Sequence, residues 1–191
     1  MTTRTRFVHL LTGFLLLACT GFLYPAKYRA ETARAKSSSC DSPAYRQFDF
    51  WVGDWDAYDF GGSAIVARVR VQRTLDGCAL LEDYQDTGGQ HGQSFSIYDA
   101  SRKVWHQTWV TNRGRLLVIE GSFSDGEMVL SGNETTGTGG TVVRGTWKPI
   151  EGGVRETGVA SQDGGKTWQP WFDLVFRPHH ERTKDQKHTT H

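Results

Sequence analysis

Apolar and polar side chains alternate with a period of two along most of the chain after residue 45. The alternating runs are short, rich in Val, Ile, Thr and aromatic residues, and separated by turns containing Gly, Asp or Asn. This pattern is typical of strands with one buried and one exposed face. It predicts ten strands, at residues 53–59, 64–75, 78–85, 94–99, 104–111, 116–122, 127–131, 141–148, 154–161 and 167–177.

The turns between the predicted strands are short, so consecutive strands are expected to pair as hairpins. Residues that tolerate a positive φ mark these turns, as in Asn112-Arg113-Gly114 and Ser124-Asp125-Gly126. A meander of this size closes into a barrel, because an open sheet would leave two edges prone to aggregation. The predicted fold is therefore all-β: an antiparallel up-and-down barrel of about 8–10 strands. It spans residues 40–178, with a short helix or turn at 42–51.

The first 26 residues have a different character. Two arginines precede an almost wholly apolar run at 7–24, which is the order found in export signals. Residues 1–26 are thus predicted to be a signal peptide or membrane-anchor helix. Three processing routes remain open: lipidation of Cys19 within Leu16-Leu17-Ala18-Cys19, cleavage at Ala33-Arg34-Ala35, or retention as an uncleaved anchor. All three predict export, to the periplasm or cell envelope, with contact to a membrane where the segment is kept.

Two further segments lack apolar periodicity. Residues 27–39 contain mainly Lys, Arg, Ala and Ser, and are predicted to be a flexible linker. Residues 179–191 carry four histidines and mixed charges, and are predicted to be a disordered tail. Beyond the leader only Cys40 and Cys78 remain, and in an oxidising compartment they are predicted to form a disulfide. Two buried thiols are the alternative.

The near-neutral charge of the whole chain hides an acidic barrel. The chain has 22 basic and 21 acidic side chains, but residues 41–178 hold 13 basic against 18 acidic. This balance argues against nucleic acid as a partner and favours a neutral or cationic ligand over an anionic one. Metalloprotease, nucleophile-elbow and P-loop motifs are absent from the sequence. Neither a metal nor a cofactor is predicted, and enzymatic activity is left open.

A sequence motif at the start of the first strand resembles a known family. In Phe48-Asp-Phe-Trp51-Val-Gly53-Asp-Trp55, the Gly-x-Trp element resembles the lipocalin and wider calycin signature. In that family the tryptophan closes one end of the barrel, and an arginine from the last strand packs across its face. The resemblance implies that Trp55 and Arg177 form this cation–π pair.

The longer phrase is similar to that of a bacterial family of exported calycin-like barrels of unknown function. Its other motifs are GCxLxE, YD, WxQxWV, TW and SxDGGxTW, found here at residues 77–82, 98–99, 105–110, 146–147 and 161–168. The resemblance covers about residues 40–178 and implies a lipocalin-like fold, but no activity. The segment at 161–168 also resembles an Asp-box, which is predicted to be a turn held by Asp163 with Trp168 packed beneath it.

Strand alternation also sorts side chains between the inside and the outside of a barrel. The predicted inner faces combine aromatic residues with single polar groups, which suits a small, mostly apolar ligand oriented by a few hydrogen bonds. The predicted lining is Trp105, Gln107, Trp109, Glu82, Arg144 and Glu156. His106 alternates away from the tryptophans and is predicted to lie outside, which argues against a haem-ligand role.

Three functions are compatible with this sequence. The first is an exported carrier of a small hydrophobic molecule. The second is a barrel enzyme, such as an isomerase, cyclase or hydrolase, in which Glu82 and Glu156 serve as general acid and base beside Arg144. The third is an envelope scaffold whose interior is filled by side chains, including a structural Glu–Arg pair.

Overall fold

Ten antiparallel strands form a closed barrel in the computed structural model, which describes residues 40–136 and 139–181. Each strand pairs with the next along the chain, and β1 pairs with β10. The strands are β1 Gly53–Asp59, β2 Ile65–Thr74, β3 Ala79–Asp86, β4 His91–Asp99, β5 Val104–Thr111, β6 Leu116–Ser124, β7 Glu127–Thr136, β8 Gly139–Ile150, β9 Gly153–Ser161 and β10 Gln169–Pro178. The predicted all-β up-and-down barrel is confirmed. The predicted signal or anchor, the linker and most of the tail lie outside the described residues.

Short 3₁₀ helices complete the described secondary structure. They lie at Pro43–Arg46, Asp49–Trp51 and Leu75–Gly77. The first two confirm the lead-in helix or turn that was predicted before β1. The third joins β2 to β3.

The bounds of β4, β7 and β8 differ most from the predicted ones, for reasons of local packing. β4 begins at His91 instead of residue 94, and its Gly92 lies opposite Tyr84 of β3. A Cβ atom at Gly92 would collide with the Trp109 ring, so the glycine that suggested a turn is required inside the strand. β7 and β8 are also longer than predicted, because Gly132 to Thr136 at the end of β7 pair with Gly139 to Val143 at the start of β8.

One end of the barrel is closed by an aromatic cluster. Phe48 and Trp51 come from the segment before β1 and are fully buried against strand side chains. The Phe48 ring lies 5.7 Å from that of Trp105 and 5.5 Å from that of Trp147, both edge-on. Trp51 contacts Phe176 of β10 at 4.6 Å. The lead-in segment therefore forms a floor that fills the barrel at the end where β1 begins.

Covalent and polar contacts fix this floor to the strands. Cys40 and Cys78 form a disulfide, as predicted, with their Cα atoms 5.0 Å apart. Beside it, Arg46 Nη2 donates hydrogen bonds to the carbonyl oxygens of Cys40 at 2.8 Å and Gly77 at 2.6 Å. Asp49 pairs with Arg73 of β2. The start of the domain is thus tied to the β2–β3 connection.

The expected pairing of Trp55 with Arg177 is wrong. Trp55 is buried, but the ring stacked on it at 6.0 Å belongs to Trp51, and its indole Nε1 donates to the Trp51 carbonyl oxygen at 3.0 Å. Arg177 follows the buried Phe176, so strand alternation turns its side chain to the exposed outer surface. The closing tryptophan is therefore held by another indole instead of a cation.

Two predictions about outer-surface residues are confirmed. His106 lies outside the barrel, with its ring nitrogens 2.8 Å from Glu120 Oε1 and 2.8 Å from Thr108 Oγ1. In the turn after β9, Asp163 Oδ1 accepts hydrogen bonds from the backbone amides of Lys166 and Thr167, each at 2.9 Å. These bonds, and those from Ser161 and Thr167 hydroxyls, lower the pKa of the Asp163 carboxyl. The Asp-box-like segment is a local turn.

Candidate functional site

The half of the barrel opposite the aromatic floor contains a cavity of about 520 Å³. Its walls combine five aromatic side chains and several aliphatic side chains with a number of polar groups. The lining residues include Asp59, Glu82, Tyr84, Asp86, Gln107, Trp109, Arg115, Trp147, Glu156, Trp171, Phe172 and Leu174. The interior of this barrel is therefore partly filled and partly open.

Five of the six predicted lining residues border this cavity, and four of them face inward. Gln107 and Trp109 line it from β5, Glu82 from β3 and Glu156 from β9. The two glutamates stand on well-separated walls, four strands apart around one side of the barrel and six around the other. Alternation placed these four residues correctly because each shares a face with buried neighbours on its strand.

Trp105 is placed differently from the prediction. It points inward, but it is only 2% exposed and lies in the floor, where its ring meets Phe48 and its indole Nε1 donates to Gln47 Oε1 at 3.1 Å. The lead-in segment occupies the space beside Trp105 that a ligand would otherwise reach. The prediction that Trp105 lines a cavity is therefore wrong, although its inward direction is right.

Arg144 borders the cavity through its strand, but its side chain is exposed. Val143, Gly145 and Trp147 form the inward face of β8, so alternation directs Arg144 outward. There its guanidinium carbon lies 4.2 Å from the centroid of the Trp168 ring. The expected inward Arg144, able to pair with a buried glutamate, is a wrong prediction, and Trp147 takes the inner position.

The Glu82 carboxyl is held by a polar chain that crosses three strands. Ser94 Oγ of β4 donates to Glu82 Oε2 at 2.7 Å, and Gln107 Nε2 of β5 donates to Ser94 Oγ at 3.3 Å and to Ser96 Oγ at 3.1 Å. Burial raises the pKa of Glu82 to about 7, and this effect exceeds the lowering by the Ser94 hydrogen bond. Glu82 is thus positioned and close to half-protonated at neutral pH.

Glu156 has an even less favourable environment for a negative charge. Burial raises its pKa well above the ordinary value, and the neighbouring charge of Glu82 raises it further. A hydrogen bond with the Trp147 side chain has the opposite effect but does not balance them. Burial and the neighbouring Glu82 carboxylate thus both favour the protonated form of Glu156.

An aromatic wall stands beside the two glutamates. The rings of Tyr84 and Trp109 meet edge-on with centroids 5.6 Å apart. Burial, together with the carboxylates of Asp86, Glu156, Glu82 and Asp59, raises the pKa of Tyr84 to about 12, so its phenol stays neutral. The wall offers two apolar rings set at a steep angle to each other, with one hydroxyl group.

Sequence analysis did not identify the residues at the cavity entrance. Asp59 ends β1, Asp86 ends β3 and Arg115 precedes β6, so they lie where strand alternation gives way to turns. Arg115 forms an ion pair with the buried Glu134, and its guanidinium carbon lies 4.6 Å from the Trp171 ring centroid. The only available signal was the clustering of charged residues next to turns, which is also common at ordinary loops.

The cavity has more acidic than basic groups available to a ligand. Asp59, Glu82, Asp86 and Glu156 all line it, and within residues 40–136 and 139–181 none of them forms an ion pair with a basic side chain. Its two arginines are engaged elsewhere, one with Glu134 and one with Trp168. The surroundings of a ligand would thus be aromatic and negatively charged.

Comparison with known proteins leaves the site to be judged on its own geometry. No model of a known protein family and no curated protein matches this chain. In the described ranges, no cluster of three or more His, Cys, Asp or Glu side chains is arranged to hold a metal ion. No helix in the same ranges has the length and apolar character needed to cross a membrane. The fold and site define a closed antiparallel barrel with one aromatic, acid-rich cavity.

Proposed function

We propose that this protein is an exported, calycin-like barrel that binds a small, mostly apolar ligand, neutral or cationic, in its cavity. The observation that carries the proposal is the 520 Å³ cavity between Trp109, Tyr84 and Phe172, closed below by the aromatic floor. Ligand sites in proteins typically have volumes of about 300–1,000 Å³ and mainly hydrophobic walls with a few polar groups. A scaffold with a filled interior would not leave such a space.

Export is supported by the leader and by the disulfide. The apolar run behind two arginines is the pattern of a secretory signal. The bond between Cys40 and Cys78 is of the kind that persists in oxidising compartments. A carrier of an apolar molecule in the cell envelope would use both features, the signal for delivery and the disulfide for stability outside the cytoplasm.

Uptake of a neutral apolar fluorophore tests the binding proposal. Nile red should gain fluorescence with saturable 1:1 binding to the wild-type protein, and Trp109→Ala should weaken that binding at least tenfold. Trp168→Ala is the matched control, because it removes the same side chain outside the cavity and should leave binding within twofold. Native mass spectrometry of protein purified from its own envelope should also recover a bound small molecule. A featureless spectrum together with no fluorophore uptake would rule out the carrier.

A second candidate function rests on the two carboxyl groups. Glu82 and Glu156 face one cavity with raised pKa values, so one can donate and the other accept a proton near neutral pH. In a barrel enzyme, Glu82→Gln would retain the bound molecule but stop its conversion. Mass analysis of the molecule recovered from wild type and variant distinguishes the two functions: a carrier yields the same molecule from both.

A further inference from the structure

The cavity contains an uncompensated acidic pair beside an aromatic wall, and this combination selects among apolar ligands. Glu82 and Glu156 approach the same space from β3 and β9, and the charge of Glu82 acts on Glu156. Within the described part of the chain, no lysine or arginine pairs with either of them. A buried carboxylate is costly unless a cation or sufficient hydrogen bonds offset the loss of hydration.

The hydrogen bonds present do not offset that loss. Glu82 accepts one from Ser94 Oγ, and Glu156 interacts with the Trp147 side chain, yet burial remains the largest influence on both groups. The remaining lone pairs of the two carboxyl groups face a cavity. A cation placed there would supply the missing compensation, whereas a second anion would add to the repulsion.

The aromatic groups fit the same conclusion. Trp109, Tyr84 and Trp147 present rings around the carboxyl groups, and ring faces attract ammonium groups electrostatically, more strongly in a site shielded from water. Hydrocarbon surface on Leu117, Phe172 and Leu174 is available for an apolar body. Acidic groups alone would suit a small inorganic cation, but aromatic and aliphatic walls favour an organic one.

We propose that the cavity binds a primary or secondary amine with an apolar body, whose ammonium group lies between the carboxyl groups of Glu82 and Glu156. This inference rests on the proposed binding function and specifies its ligand class. The ammonium N–H groups donate to the carboxylate oxygens, and the apolar body lies against the Trp109 and Phe172 rings. Volume limits the ligand to a molecule of roughly ten to twenty-five non-hydrogen atoms, as for other cavities of this size.

Amine binding in this arrangement is coupled to protons. The ligand arrives as an ammonium ion, and the proton that the carboxyl pair holds near neutral pH passes to the solvent when the second carboxyl ionises. Other charged groups around the pair are Asp59 on β1, Asp83 and Asp86 on β3, Arg115 before β6 and Arg144 on β8. Arginine side chains stay protonated near neutral pH, so the released proton comes from the glutamates. Affinity for the amine should therefore fall as the pH is lowered through 7, because the amine must then displace protons from the carboxyl pair.

Matched probes provide the test. Naphthylmethylamine, naphthylmethanol and naphthoic acid share one apolar body and differ in charge; a phenethyl and a decyl series repeat the comparison. Isothermal titration at pH 7.5 should show each amine binding at least tenfold more tightly than its alcohol, and each acid binding weakest. Titration of the amine in buffers of different ionisation enthalpy should reveal proton release that the alcohol lacks.

Variants then assign the preference to the carboxyl pair. Glu82→Gln and Glu156→Gln should each reduce the amine preference to threefold or less while leaving alcohol affinity within threefold of wild type. Glu151→Gln, in the exposed β8–β9 turn, removes the same charge outside the cavity and should retain the full preference. Because the wild-type probe series needs no substitution, misfolding of a glutamate variant would not prevent the decision.

The outcomes separate the two proposals. Equal affinity for amines and alcohols would overturn the amine inference and leave the binding function standing. Absence of binding by every member of the three series would overturn both. An amine preference that survives both glutamate substitutions would also overturn the inference, since the cation would then be held elsewhere.

Discussion

The closed and open halves of this barrel are built from similar side chains but place them in different surroundings. Trp105 and Trp109 lie four residues apart on the inner face of β5, with Gln107 between them. Trp105 is packed against Phe48 in the floor, whereas Trp109 lines the cavity and meets the Tyr84 ring edge-on. The lead-in segment makes the difference, because it fills one half and does not reach the other. Residue type and strand position alone do not distinguish a core residue from a ligand contact.

The largest test of this comparison is to truncate both tryptophans. Trp105→Ala should destabilise the protein by about 3–5 kcal/mol, since it leaves a cavity in a close-packed floor. Trp109→Ala removes a ring that already borders a cavity and should cost no more than about 2 kcal/mol. Urea unfolding, followed by circular dichroism, measures both. Equal losses would show that the open half is packed as tightly as the closed half.

Removal of the disulfide tests how strongly the floor is held to the strands. Replacing Cys40 and Cys78 together by Ala should lower the free energy of unfolding by about 2–4 kcal/mol, because the bond restrains a loop of 38 residues in the unfolded chain. Affinity for the neutral fluorophore should stay within threefold, as the cavity lies in the other half. A loss of binding equal to the loss of stability would mean that the two halves do not act separately.

The pH dependence of stability tests how much the open half is destabilised by ionisation of its buried carboxyl groups. The pKa of Glu82 is about 7 in the folded protein against an ordinary value of 4.5, so the folded state binds more protons than the unfolded state between these values. Stability from this group is therefore greatest below about pH 4.5, falls as pH rises to about 7, and is constant above.

Glu82→Gln removes the part of this dependence that comes from Glu82. Its melting temperature should fall less steeply than that of wild type between pH 4.5 and 7, with the remaining slope coming from Glu156, and at pH 8 it should be more stable than wild type by about 1–3 kcal/mol. Glu156→Gln should act in the same direction, whereas Glu151→Gln in an exposed turn should change neither slope nor stability. Thermal scans at pH 4.5, 6 and 8 measure this, and a wild-type stability that rises with pH over this range contradicts it.

The smallest expected effect concerns the outer surface. Arg144→Gln removes the cation over Trp168 and should cost less than about 1 kcal/mol. Binding of the neutral fluorophore should remain within twofold, because the guanidinium lies outside the cavity. A large fall in affinity would show that the Arg144 side chain contacts the ligand, as the sequence pattern suggests.

The sequence was sufficient to predict ten strands and a closed barrel, because apolar and polar residues alternate along the strands and recognisable turn residues follow them. It was insufficient where a glycine interrupts this alternation. Gly145 interrupts the inner row of β8 between Val143 and Trp147, so the pattern also allows the row that contains Arg144 to face inward. The depth of Trp105 was also beyond alternation, which separates inside from outside but not floor from cavity. That distinction depends on contacts with Phe48, which lies 57 residues away along the chain.

The connections of the barrel have a consequence for how such a protein can be altered. Both ends of the described domain lie at the closed half: the disulfide fixes Cys40 there, and the His179 amide donates to the Asp54 carbonyl oxygen at 2.8 Å. In an up-and-down barrel, the opposite end is then formed by the five hairpins that follow β1, β3, β5, β7 and β9. These loops can be diversified for new selectivity, or the domain immobilised through either end on a sensor surface, while the entrance stays open and the supporting floor is unchanged.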